Sequence, residues 1–98
     1  MSGKIRITRG SGNVFRDLGF GKGEAENLRL RSELMMRIHA FHEESGMTQG
    51  ESAKLLGLTQ PRLNALLKGR LSQFSLDALV NIASRAGLNV RLVVRKAA

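Results

Sequence analysis

The sequence predicts a mainly α fold: a small bundle of helices followed by one short β-strand near the C-terminus. Three observations predict it. Residues 24–45 carry apolar side chains at helical spacing without a glycine or proline. Residues 48–69 hold two short helical segments punctuated by hydroxyl, glycine and proline signals at the positions where helices start and stop. Residues 89–95 set Val90, Leu92 and Val94 against Arg91, Val93 and Arg95, the period of a strand.

Three segments organise the 98 residues: a basic, glycine-rich arm (1–23), a helical domain (24–87), and a strand with its tail (88–98). In the arm, Ile5 and Ile7 alternate with Lys4, Arg6 and Thr8 as in a short strand. Val14, Phe15, Leu18 and Phe20 are too apolar for a free linker, so they should pack on the domain, on a second subunit or on another protein. The run Gly19 to Gly23 lacks the spacing of a phosphate-binding loop and reads as a hinge.

The helix over 24–45 presents Leu34, Ile38, Phe41 and Ser45 along one face with Leu30 and Met35 beside them, and Gly46 should end it. Glu24 and Glu26 are expected in its first turn, where carboxylates complement the helix dipole. His39 and His42 could share a face, but neither a carboxylate nor a third histidine completes a zinc-like array, so no metal site is expected.

The next segment carries the most information. Thr48 can cap a helix and Glu51 can answer it in a capping box, while Gly57 suits the left-handed residue that closes that helix. Thr59 can cap a second helix beginning at about Gln60, with Pro61 in the first turn, where no backbone N–H is needed. So short a connection forces a sharp angle, which the small Ala53 tolerates at the approach, and Leu56, Leu58, Leu63 and Leu66 supply the shared seam. This is a helix-turn-helix pattern. Its second helix leaves Gln60, Arg62, Asn64, Ala65 and Lys68 for solvent. Arg can bridge two acceptors of guanine, and Asn or Gln can pair with adenine, so Gln60, Arg62 and Asn64 are candidate base-reading residues.

Gly69 should close the second helix, and Arg70 and Ser72 in the following loop could touch a nucleic-acid backbone. Ser75 can cap a last helix, with Asp77 in its first turn and Leu76, Leu79, Val80, Ile82 and Ala83 facing the core up to Gly87. The strand after it needs a partner, because its unpaired backbone groups would otherwise be exposed along an edge. Either Ile5 to Thr8 or the same strand of a second subunit could supply one.

Charge supports a polyanionic partner. Sixteen basic against eight acidic side chains leave +8, unevenly spread: +4 over 1–23, −2 over 24–45, +3 over 46–74 and +3 over 75–98. The absence of cysteine leaves no disulfide or thiolate chemistry. No paired nucleophile and base and no phosphate-binding loop suggest an enzyme, and no cofactor is expected. Neither a long apolar run nor a signal-peptide core is present, so a cytoplasmic, nucleoid-associated protein without a membrane partner is expected. Four phenylalanines and no tyrosine or tryptophan offer little stacking platform for single-stranded RNA, which favours duplex DNA.

Thr48–Gln49, Ala53, Gly57, Thr59–Gln60–Pro61 and Lys68–Gly69 resemble the signature of phage-repressor-type (Cro-like, or XRE) DNA-binding domains. The flanks Asn13 to Phe20 and Phe74 to Asp77 are similar to small XRE regulators of the HigA-type antitoxin group. The resemblance implies a five-helix, lambda-repressor-type bundle, a homodimer and a palindromic operator. By position it implies that Gln49, Thr59 and Lys68 hold phosphates while Gln60, Arg62 and Asn64 face bases. It further implies a repressor that masks an mRNA-cleaving toxin and controls its own operon, with Phe15, Leu18 and Phe20 as candidate toxin contacts. The alternative is a stand-alone XRE regulator with no toxin. Two residues depart from the pattern: Ser52 stands where the family usually buries an aliphatic side chain, and Pro61 stands where repressors often carry a polar, base-contacting one.

Overall fold

The computed structural model describes Phe15 and residues 18–96. Within them lie four α-helices, α1 (Lys22–Ser45), α2 (Gln49–Leu56), α3 (Gln60–Leu67) and α4 (Leu76–Arg85), with a single 3-10 turn (Leu71–Gln73) between α3 and α4. The five-helix expectation is therefore corrected to four among the described residues. α1 runs for 24 residues without interruption, since nothing between Ala25 and Ser45 breaks the backbone hydrogen-bond ladder.

Apart from the start of α1, where Gly21 brings no side-chain cap, the helix boundaries have visible causes. α1 starts two residues earlier than its pattern suggested, so Glu24 stays in the first turn while Glu26 moves beyond it and pairs with Arg29 at 2.8 Å. Gly46 ends α1 in the left-handed region at φ 74°. The Thr48 hydroxyl accepts the Glu51 amide at 3.1 Å and the Glu51 carboxylate accepts the Thr48 amide at 2.9 Å, closing the expected capping box on α2. Gly57, at φ 73°, lets the chain turn so that the Leu58 amide reaches the Ala53 carbonyl at 2.8 Å. Thr59 and Ser75 cap α3 and α4 through their hydroxyls, which accept the Arg62 and Ala78 amides.

The core draws on every helix. Leu34, Met35 and Ile38 of α1 meet Ala53 and Leu56 of α2, Leu63, Ala65 and Leu66 of α3, Phe74 of the connection, and Leu79, Ile82 and Ala83 of α4. α1 packs chiefly along α4 and touches α3 and the 3-10 turn, while α2 lies against α3 and α4. Leu30 and Phe41 are half-buried, whereas Ser45 is exposed and instead donates its hydroxyl to the His42 carbonyl at the helix end.

Ser52, the departure from the family's aliphatic position, is wholly buried and lies 2.6 Å from His42 Nδ1. The two polar groups satisfy each other across the α1–α2 contact, which removes the cost of burying either alone. His39 points elsewhere, toward Glu43 at 3.8 Å.

The strand expected over 89–95 is not formed. Residues 88–96 carry no regular structure, and Leu92 and Val94 are 71% and 81% exposed. No described segment runs beside them to accept their backbone hydrogen bonds, and alternation alone cannot hold a strand without a neighbour. The other strand candidate, Ile5 to Thr8, lies outside the described residues, as does Val14. No helix among the described residues is long and apolar enough to cross a membrane.

Candidate nucleic-acid interface

The interface is built from the two short helices and the turn after them. Capping at Thr48 and Thr59 fixes where α2 and α3 begin, and the left-handed Gly57 fixes the angle between them. Pro61 occupies the first turn of α3 as expected. Arg85 of α4 reaches across to donate Nε to the Leu55 carbonyl at 3.1 Å, securing the end of α2. Its guanidinium fills the space beside Gly57, where an added Cβ would meet Nε at 2.9 Å. Nothing local in the sequence marks Arg85 for this contact, because the two residues meet only through tertiary packing.

On the outer side, Gln49, Thr59, Gln60, Asn64, Lys68, Arg70 and Ser72 are all exposed. Gln49 and Gln60 open the two helices. The Gln60 side chain lies over the start of α2, so near Gly50 that a Cβ there would stand 3.0 Å from Gln60 Nε2. The Thr59 hydroxyl already accepts the Arg62 amide at 3.2 Å, which orients it without using its own O–H donor. Ala65, expected in solvent, is instead buried in the core cluster, while its carbonyl accepts the Arg70 amide at 3.1 Å where the chain reverses at Gly69 (φ 76°).

Arg62 behaves unlike its neighbours. It is half-buried, its Nη1 donates to the Gln73 carbonyl at 3.0 Å, and its guanidinium sits 4.2 Å from the centroid of the Phe74 ring. Arg31 of α1 holds the same turn, donating Nη1 to the carbonyls of Leu71 (3.0 Å) and Phe74 (3.1 Å). Its Nε is held by Asn27 Oδ1 at 2.7 Å. Sequence reasoning missed Arg31 entirely, since an arginine on an amphipathic helix normally signals a solvated face.

The apolar residues of the arm form a separate feature. The rings of Phe15 and Phe20 pack edge to face at 6.3 Å and the Phe20 amide donates to the Phe15 carbonyl at 3.2 Å, while Leu18 is 68% exposed. They are not part of the helix-turn-helix core.

The family model described as a helix-turn-helix domain matches residues 14–95. The chain belongs to this helix-turn-helix family. The match takes in all four helices and the turn, and it reaches the exposed tail. Among solved structures, the helix-turn-helix chain is similar to a protein provisionally assigned as an XRE family transcriptional regulator, at 27% identity and a TM-score of 0.70, over 76% of this chain and 83% of the other. No curated protein matches it at a significant level.

Proposed function

We propose that this helix-turn-helix protein is a sequence-specific, DNA-binding transcriptional repressor. The observation that carries this reading is the exposed edge of α3, where Gln60, Asn64 and Lys68 project from a helix whose start and end are both fixed by caps. Gln60 and Asn64 would face base edges in the major groove. Gln49, Thr59, Lys68, Arg70 and Ser72 would hold phosphates on either side. The XRE regulator that shares the fold supports the same reading. Selection of duplexes from a random library, followed by titration on selected and scrambled sequences at several salt concentrations, tests it. Preferential, salt-sensitive binding of the selected duplex is expected; equal binding of both would remove sequence-specific recognition.

Two finer readings extend this proposal. The unpaired, alternating segment 89–95 suits pairing with its counterpart in a second copy, which would form a two-fold homodimer on a palindromic operator with its half-sites about 34–36 Å apart. The resemblance to HigA-type antitoxins, together with the exposed Leu18 and Phe20, supports a role in masking an mRNA-cleaving toxin and repressing the operon that encodes both. Co-expression with the flanking genes tests the second: a small partner that co-purifies, and whose RNA cleavage stops when this chain is added, is expected. A chain that binds its promoter but retains no partner is instead a stand-alone regulator.

A further inference from the structure

We infer that Arg62 is a positioning residue of the recognition surface and not a reader of a base, a conclusion that rests on the DNA-binding reading above. A bidentate contact with guanine needs the guanidinium extended away from the helix with its fork free. Here the side chain folds back, one face over the Phe74 ring at 4.2 Å and Nη1 on the Gln73 carbonyl. Phe74 is itself 1% exposed, so this contact ties Arg62 to the core.

Arg31 of α1 completes the arrangement. Between them the two guanidiniums hold the carbonyls of Leu71, Gln73 and Phe74. The turn is thus tied to α1 and to α3 at once, which restrains Arg70 and Ser72 on either side of Leu71. Neither guanidinium forms an ion pair among the described residues, so both add positive charge at the turn that carries Arg70 and Ser72. The pair therefore acts twice, as a mechanical clamp and as a source of positive potential. Base discrimination is left to Gln60 and Asn64.

The test compares the full-length wild-type chain with Arg62→Ala, Arg62→Lys, Arg70→Ala and the Arg62→Ala/Arg70→Ala double variant. Each is carried through duplex selection, titration on selected and scrambled duplexes, and amide hydrogen exchange. Arg62→Ala is expected to keep the wild-type base preferences while its affinity falls by about threefold to tenfold on both duplexes alike, as the loss of one cation–π contact and one charged hydrogen bond allows. The amides of Gln73 and Phe74 should exchange faster. Arg70→Ala should weaken the wild type but weaken Arg62→Ala much less, because Arg70 is no longer held in place. Relaxed preference at one base pair, additive losses in the double variant, or unchanged exchange of the turn would each overturn the inference. Should Arg62→Ala fail to fold, Arg62→Lys decides by the same readouts, since it keeps the charge but not the planar fork. A wild-type chain that binds all duplexes equally would reject the sequence-specific reading instead. Arg62 would then be judged on the uniform affinity and the turn exchange, and protected amides in the variant would overturn the clamp.

Discussion

At the scale of single residues, the buried His42–Ser52 pair shows how a polar group is accommodated inside a small core. A 2.6 Å contact joins α1 to α2 where an aliphatic side chain would do the same by packing alone. Ser52→Ala should destabilise the fold by about 1–3 kcal/mol, because it leaves the His42 ring nitrogen without its partner. Replacing both residues by apolar ones of similar shape should recover much of that loss. Denaturant unfolding of the two single variants and the double variant checks this, and additive losses would disprove the coupling. On the outer face, Asn64→Ala should relax discrimination at one base pair by about 1–3 kcal/mol. Lys68→Ala should weaken binding to every duplex and lower the salt slope by about one. Titration on selected and scrambled duplexes separates these two kinds of residue.

Among the elements, the two short helices depend on their ends. Eight residues each is too short for either to persist alone, so the caps and the packing between them must act together. Thr48→Ala removes half of the capping box and should cost about 1 kcal/mol, read from thermal or denaturant unfolding. Gly57→Ala should cost at least as much, on the order of 1–2 kcal/mol for the left-handed backbone alone. It also drives a methyl group toward Arg85 and so should loosen the end of α2. An unchanged unfolding midpoint for Gly57→Ala would show that the turn can close in another conformation. Cap and turn residues of this kind act through neighbours only two to five positions away. For that reason the starts of α2, α3 and α4 and closing glycines such as Gly46, Gly57 and Gly69 are legible in the amino-acid order itself.

For the molecule as a whole, the helices converge on one core while the C-terminal segment stands outside it. A chain ending at Leu88, which packs against the core, should unfold with nearly the same midpoint as the 98-residue chain, since residues 89–96 are exposed. If that segment forms the subunit contact, the shortened chain should be monomeric by size-exclusion chromatography with light scattering. A dimer that survives the truncation would place the contact elsewhere.

The sequence by itself determined the helix-turn-helix frame and its outer polar residues, because caps, glycine turns and amphipathic spacing are local and each carries its own physical signature. Residues such as Gln60, Asn64 and Lys68 were legible for the same reason: a helix that buries Leu63 and Leu66 must expose them. Tertiary structure alone decided the fates of the arginines and of the tail. Whether Arg31, Arg62 and Arg85 meet water, a phosphate or a backbone carbonyl depends on partners between 11 and 43 residues away, which no local pattern encodes. Alternation in residues 89–95 likewise states only what a strand would require, and without a neighbouring strand in the described chain the segment stays irregular.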